Sequence, residues 1–151
     1  MSRGGDADAA GARPHAFPRA RRLKRRRLIR PLFDRARPDV GRVRVGVVDV
    51  RYRLAPMADV GSRVPLQAGF APGRRARTHV GRNRLRRHMR EAFRLHQHLL
   101  QDAPRPPEHA LVLMVVFRGR EESAGSDVRR DLPEALRRLA ARLRAEHAPH
   151  A

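Results

Sequence analysis

The sequence predicts an α+β fold, a two-layer sandwich in which helices pack on a sheet of about four strands. Two observations predict it: apolar residues recur with period two or in short runs in some segments, and with helical periodicity in others. The order of these segments is helix, strands, helix, strand, helix, which is typical of such a sandwich. With 151 residues the chain has the length of one domain.

The two ends of the chain differ in composition from the rest. Residues 1–16 are small and polar without any period, so we expect a disordered tail there. The domain is then expected to span residues 17–147, followed by a short C-terminal tail at residues 148–151.

The first element is predicted to be a short helix over about residues 27–36. Pro31 is compatible with a helix only in its first turn, where the missing N–H has no partner to lose. The residues expected to point inward are Ile29, Leu32, Phe33 and Ala36.

Strands are predicted next. Alternating apolar residues run from Val43 to Leu54, but their phase slips at Val47 and Val48, so the segment contains either a bulge or two successive strands. A further strand is predicted from Val64 to Phe70, ended by the Ala71-Pro72-Gly73 turn.

The second half of the chain predicts helix, strand and helix. A helix from about His79 to Gln101 is followed by a proline-rich connector and by the apolar run Ala110–Phe117, which indicates a strand covered on both faces. The final helix carries leucines on one face, and we expect Asp131 and Glu134 to cap its start, with Pro133 in the first turn.

The formal net charge is +20, and it is concentrated in a few stretches. Residues 19–37 hold ten basic side chains and one acidic one, residues 82–94 hold six and one, and Arg74, Arg75 and Arg77 add three more. Clustered positive charge of this kind indicates nucleic-acid binding.

The segment 82–94 is the strongest indication of function. At the helical period its apolar residues, which include Leu85, Met89 and Phe93, share one side. The opposite side carries Asn83, Arg86, Arg87, Arg90 and Arg94. Arg82, Arg86 and Arg90 are spaced i,i+4, where like charges destabilise an isolated helix. A helix that tolerates this repulsion is suited to a polyanion.

Several other classes of protein are disfavoured. The chain has no cysteine for disulfides or thiolate metal sites, and no apolar run long enough to span a membrane, so we expect a cytoplasmic protein without a membrane partner. The acidic residues are scattered, and His96 and His98, two apart on a helix, are expected to point in different directions. We therefore predict neither a metal site nor catalytic residues in the protein.

The motif in segment 82–94 resembles the signature of the bacterial ribonuclease P protein component. Arg82-Asn83-Arg84 is followed by an aliphatic residue and a basic pair, and then by Arg90-Glu91-Ala92-Phe93-Arg94. Weaker resemblances are the opening Arg22-Leu23-Lys24 through Phe33 and the strand that runs into Arg74-Arg75 ahead of the helix. The resemblance covers about residues 17–146.

This resemblance implies an αβββαβα sandwich and a function. The protein would bind a catalytic RNA subunit that uses Mg²⁺ to remove the 5′-leader of precursor tRNA, and would hold the single-stranded leader between its first helix and the sheet. Catalysis would belong to the RNA. The residues expected to bind RNA are Arg82, Asn83, Arg84, Arg86, Arg87, Arg90, Arg94, Arg74, Arg75, Arg22, Lys24 and Phe33.

The main alternative is a ribosomal or ribosome-assembly protein that binds structured RNA, since it would share the size, charge and layout. A helix-turn-helix DNA-binding protein is disfavoured, because that motif needs two helices joined by a short turn. Here strand-like sequence precedes the basic helix and a proline-rich connector follows it. We therefore expect RNA partners and no DNA.

Overall fold

The fold is organised around β4, which has a strand on either side. The computed structural model describes residues 17–61 and 64–147. The strand order is β1-β2-β4-β3, with β4 antiparallel to β2 and parallel to β3. The strands are β1 (Val40–Val45), β2 (Val48–Pro56), β3 (Leu66–Ala71) and β4 (His109–Phe117).

Two long helices pack on one face of this sheet, and short helical segments precede the first strand or lie between the longer elements. The helices are α1 (Arg26–Ile29), α2 (Met57–Val60), α3 (His79–His96), α4 (His98–Gln101) and α5 (Ala124–His147). Turns of 3₁₀ helix lie at Arg19–Arg21, Arg30–Phe33 and Glu121–Ser123. The order of the main elements confirms the predicted α+β sandwich. Residues 1–16 and 148–151, expected to be tails, lie outside the described residues.

Strand β4 is buried on both faces, as its unbroken apolar run predicts. Leu111, Leu113 and Val115 join the core formed with α3 and α5. On the opposite face, Val112, Met114 and Val116 join a second cluster that includes Leu28 and Leu32. These two leucines belong to residues 17–39, here called the N-terminal segment. That segment covers only part of the second face.

The phase slip at Val47 and Val48 marks two strands rather than a bulge. Strands β1 and β2 pair antiparallel from Val45 opposite Val48 to Val40 opposite Arg53. Gly46, between them, has φ = 54°, a left-handed conformation that glycine adopts without steric cost.

The first predicted helix is shorter than expected. Helix α1 tightens at Arg30 into a 3₁₀ turn that ends at Phe33, not at residue 36. The Asp34 side chain accepts a hydrogen bond from the backbone N–H of Ala36 at 3.0 Å, a local turn that competes with further helix. The predicted inward placement is wrong for Phe33 and Ala36, which are both exposed, whereas Leu28 and Leu32 are buried.

The predicted start of the last helix is also wrong. Helix α5 begins at Ala124, so Pro133 lies in its interior rather than in its first turn. Asp131 does not cap the helix; its Oδ2 accepts a hydrogen bond from the backbone N–H of Val47 at 3.1 Å. This carboxylate joins α5 to the turn between β1 and β2.

Candidate nucleic-acid interface

Helix α3 presents its basic residues because its apolar side is fixed in the core. Leu85, Met89, Ala92 and Phe93 are buried, and the Thr78 side chain caps the helix by accepting from the backbone N–H of Gly81 at 3.0 Å. The rings of Phe17, Phe70 and Phe93 meet edge to face, with centroids 5.6–5.8 Å apart. These contacts fix the helix against β3 and the N-terminal segment.

The arginines of α3 form two groups rather than the single face that the sequence predicted. Arg82, Arg86 and Arg90 lie in an i,i+4 row, are half-buried, and border hollows on the sheet side of the helix. Asn83, Arg84 and Arg87 are exposed. The helix can therefore contact RNA on two separate sides.

Among the predicted residues, Arg82 and Arg94 make close contacts with other groups of the protein. Arg82 Nη1 donates to the carbonyl oxygens of Gly73 and Ala76, each at 3.1 Å, and so holds the turn before the helix. The Arg94 guanidinium pairs with Glu91 at 2.6 Å, and this hydrogen bond raises the pKa of Arg94 and lowers that of Glu91. Part of the hydrogen-bonding capacity of both side chains is therefore used within the protein.

A groove of about 220 Å³, here called the helix groove, separates α3 from the N-terminal segment. Its basic lining comprises Arg22, Lys24, Arg86 and Arg90. The backbone N–H of Leu23 donates to the carbonyl oxygen of Ala68 at 2.9 Å, which places this segment beside β3. Burial and then the neighbouring charges of Arg22 and Arg86 lower the pKa of Arg90. An anion bound here would relieve that repulsion.

A larger hollow of about 620 Å³, here called the sheet cleft, lies on the partly covered face of the sheet. Phe33 stands at its edge with 41% of its surface exposed. The Arg51 guanidinium lies 5.0 Å from the centroid of that ring, within the range of a cation–π contact. The cleft is lined by Phe33, Arg35, Arg51, Ala71, Gly73, Arg74, Arg82, Val116 and Arg118.

Sequence reasoning missed three arginines of the sheet cleft, Arg35, Arg51 and Arg118. A signal for Arg51 was present, because the period-two pattern of β2 places it on the face opposite Val50 and Tyr52. Arg35 and Arg118 lie just beyond the elements that carry them, where periodicity gives no direction.

The predicted residues Arg74 and Arg75 are adjacent in sequence but do not share a site. Arg74 lines the sheet cleft, whereas Arg75 lines another hollow with Arg120 and Glu121. The turn between β3 and α3 therefore directs two basic side chains to different surfaces.

The two histidine rings at the end of α3 are not arranged as the sequence predicted. The helix breaks at Gln97, so the rings of His96 and His98 stack with centroids 6.4 Å apart instead of pointing in different directions. Across residues 17–61 and 64–147, no group of three or more His, Cys, Asp or Glu side chains could hold a metal ion. No helix in this part of the chain has the length and apolar character needed to cross a membrane.

Comparison with known protein families gives a match over most of the chain. The family model described as Ribonuclease P matches residues 17–141, which includes the N-terminal segment, the sheet, α3 and most of α5. Comparison with the curated proteins and with the solved structures gives no match.

Proposed function

The chain belongs to the ribonuclease P family, and from this premise we propose that it is the protein subunit that binds the catalytic RNA and the single-stranded leader of precursor tRNA. The family membership connects the chain to tRNA processing. The observation that supports the finer proposal is the pair of arginine-lined hollows beside α3, one of which carries an exposed aromatic ring.

The two sides of α3 suit two different RNA partners. The exposed side, with Arg84 and Arg87, can meet the phosphates of a large structured RNA without reading its sequence. The sheet cleft combines arginines with Phe33, and single-stranded RNA is bound by basic grooves with aromatic platforms. We assign the exposed side to the catalytic RNA and the cleft to the leader.

In this proposal the protein does not perform the hydrolysis. The RNA subunit would supply the reacting groups and use Mg²⁺, while the protein neutralises phosphates and positions the leader. Such a subunit would act in the cytoplasm, where precursor tRNAs are processed.

Reconstitution tests the proposal. The purified chain is mixed with a bacterial ribonuclease P RNA, and precursor-tRNA cleavage is measured at a Mg²⁺ concentration too low for the RNA alone. We expect cleavage at the mature 5′ end that requires both components. Cleavage by the protein alone would refute the division of labour. Tight RNA binding without stimulation would instead favour a ribosomal or ribosome-assembly protein.

A further inference from the structure

A buried acidic residue that the proposed function does not use lies behind two arginines of the sheet cleft, Arg51 and Arg118. Asp49 of β2 is 0% exposed. Its carboxylate accepts hydrogen bonds from Arg42 Nε and Nη2 and from Arg118 Nε, all at 3.0 Å. Arg51 Nη2 lies 3.7 Å away. One carboxylate thus meets three guanidinium groups.

Neutralising surface charge does not explain why a carboxylate is buried among these arginines. A buried carboxylate costs desolvation free energy that only close hydrogen bonding offsets. Its negative charge also lowers by one unit the net positive charge of a surface that would bind RNA. Burial opposes ionisation of Asp49, but the hydrogen bonds from Arg42 and Arg118 outweigh it, and the pKa of Asp49 is lowered. The carboxylate is therefore charged at neutral pH.

The three arginines have unequal relations to the cleft. Arg51 and Arg118 line it, whereas Arg42 approaches Asp49 from β1. Arg51 is 8% exposed, and its Nε has no hydrogen-bond partner. Its guanidinium lies between the carboxylate and the ring of Phe33. Although this Nε is itself buried, Arg51 and Arg118 both line the cleft, so an acceptor that enters the cleft meets the two side chains together.

We propose that Asp49 is a positioning residue that holds Arg51 and Arg118 as a preformed cradle for a phosphate of single-stranded RNA. The inference rests on the proposed function, since it places the leader in the sheet cleft. Without the carboxylate, three neighbouring guanidinium groups repel one another and turn toward solvent. With it, the donors keep their directions before RNA arrives, and less conformational entropy is lost on binding.

The substitution Asp49→Asn separates this role from a general effect of net charge, because the two predict changes of opposite sign in the affinity for RNA. The variant gains one unit of positive charge, so a model based on net charge predicts equal or tighter binding of RNA. The cradle predicts weaker binding of a single-stranded oligoribonucleotide, by about tenfold for the loss of aligned charge-assisted contacts. The matched control is Glu134→Gln on α5, which also pairs with two arginines, Arg137 and Arg138.

Kinetics with two substrates separate positioning from loss of structure. The holoenzyme is assayed with a precursor tRNA whose leader reaches the cleft and with one whose leader is a single nucleotide. We expect Asp49→Asn to raise KM for the first substrate by about tenfold and to leave KM for the second unchanged. If Asp49→Asn and Glu134→Gln change KM equally for both substrates, the inference is overturned.

A further pair of variants covers the case in which Asp49→Asn does not fold, as judged by circular dichroism. Arg118→Gln removes an exposed arm of the cradle, and Arg138→Gln removes an equally charged residue from α5. The cradle predicts a leader-dependent rise in KM for Arg118→Gln alone. Identical effects of the two variants would overturn it. Failure of the wild-type chain to stimulate the RNA at all would instead refute the proposed function.

Discussion

At the scale of single residues, Phe33 combines an exposed ring with a nearby guanidinium. It is a large aromatic side chain that stays 41% exposed, and a guanidinium lies beside its ring at 5.0 Å. The 3₁₀ turn Arg30–Phe33 directs Leu32 into the core and leaves Phe33 at the edge of the sheet cleft. A stacking surface for an unpaired base is the use that fits this position.

Replacing Phe33 by alanine is expected to weaken binding of the single-stranded leader by about 1–3 kcal/mol, the range of base–aromatic stacking. Binding of the catalytic RNA should not change, because the exposed side of α3 remains intact. The measurement is fluorescence anisotropy with a labelled oligoribonucleotide.

Leu95→Ala is the control for the Phe33 variant, since Leu95 is exposed to the same 41% and lies outside the cleft. Equal losses in the two variants would show that Phe33 contributes only apolar surface.

At the scale of elements, α3 contributes two rows of arginine with different surroundings. The row Arg82, Arg86 and Arg90 borders hollows, and Arg82 also holds the preceding turn. Arg84 and Arg87 are exposed. Substitutions in the second row should therefore affect RNA binding with little effect on the fold.

The double variant Arg84→Ala and Arg87→Ala is expected to weaken binding of the catalytic RNA. Because two phosphate contacts are lost, the slope of log K against log salt should become shallower by about 2. The matched control is the double variant Arg137→Ala and Arg138→Ala on α5, which removes the same charge. If both double variants shift the slope equally, binding depends on net charge and not on α3.

Helix α5 is tied to the sheet through Asp131, which accepts from Val47 N–H and pairs with Arg130 at 2.8 Å. The hydrogen bond from Arg130 is the main cause that lowers the pKa of Asp131. The stabilisation it gives is therefore present above the unfolded pKa, near 4, and is lost as the pH falls through the lower folded value.

Replacing Asp131 by asparagine should lower the free energy of unfolding at neutral pH by about 1–3 kcal/mol. The variant should also lose less stability than the wild type on acidification, because one of the carboxylates with a lowered pKa is gone. Thermal unfolding at neutral and acidic pH measures both effects, with Glu146→Gln as a control at an exposed position. A parallel pH dependence in variant and wild type would contradict the assignment.

The elements differ in how far sequence alone determined them. Strand β4 and helix α3 were predicted because a long apolar run and a strong helical period each allow one structure. The start of α5 was missed because Asp131 and Pro133 imitate a helix start, while the carboxylate is held by a distant backbone group. The contacts of Asp49 with the arginines around it were also missed, because they too depend on a partner distant in sequence. Arg118 follows the end of β4 and lies 69 positions from Asp49.

At the scale of the whole molecule, the distribution of charge matters more than its sum. The excess of +20 is concentrated in the N-terminal segment, the turn before α3 and α3 itself, and the structure brings these parts together around two hollows. Ion pairs such as that of Arg137 with Glu134 offset part of the positive charge on α5. The surfaces suited to RNA are therefore α3 and the two hollows beside it.

Binding of the catalytic RNA by the whole chain should depend steeply on salt. If about 6–10 phosphates are neutralised, affinity should fall by roughly 10³–10⁵ between about 50 and 200 mM salt, because condensed counterions are released on binding. A titration of the dissociation constant against monovalent salt at fixed Mg²⁺ measures this. A slope near zero would mean that the exposed arginines of α3 and their basic neighbours do not contact phosphate, and the interface with the catalytic RNA would have to lie elsewhere on the molecule.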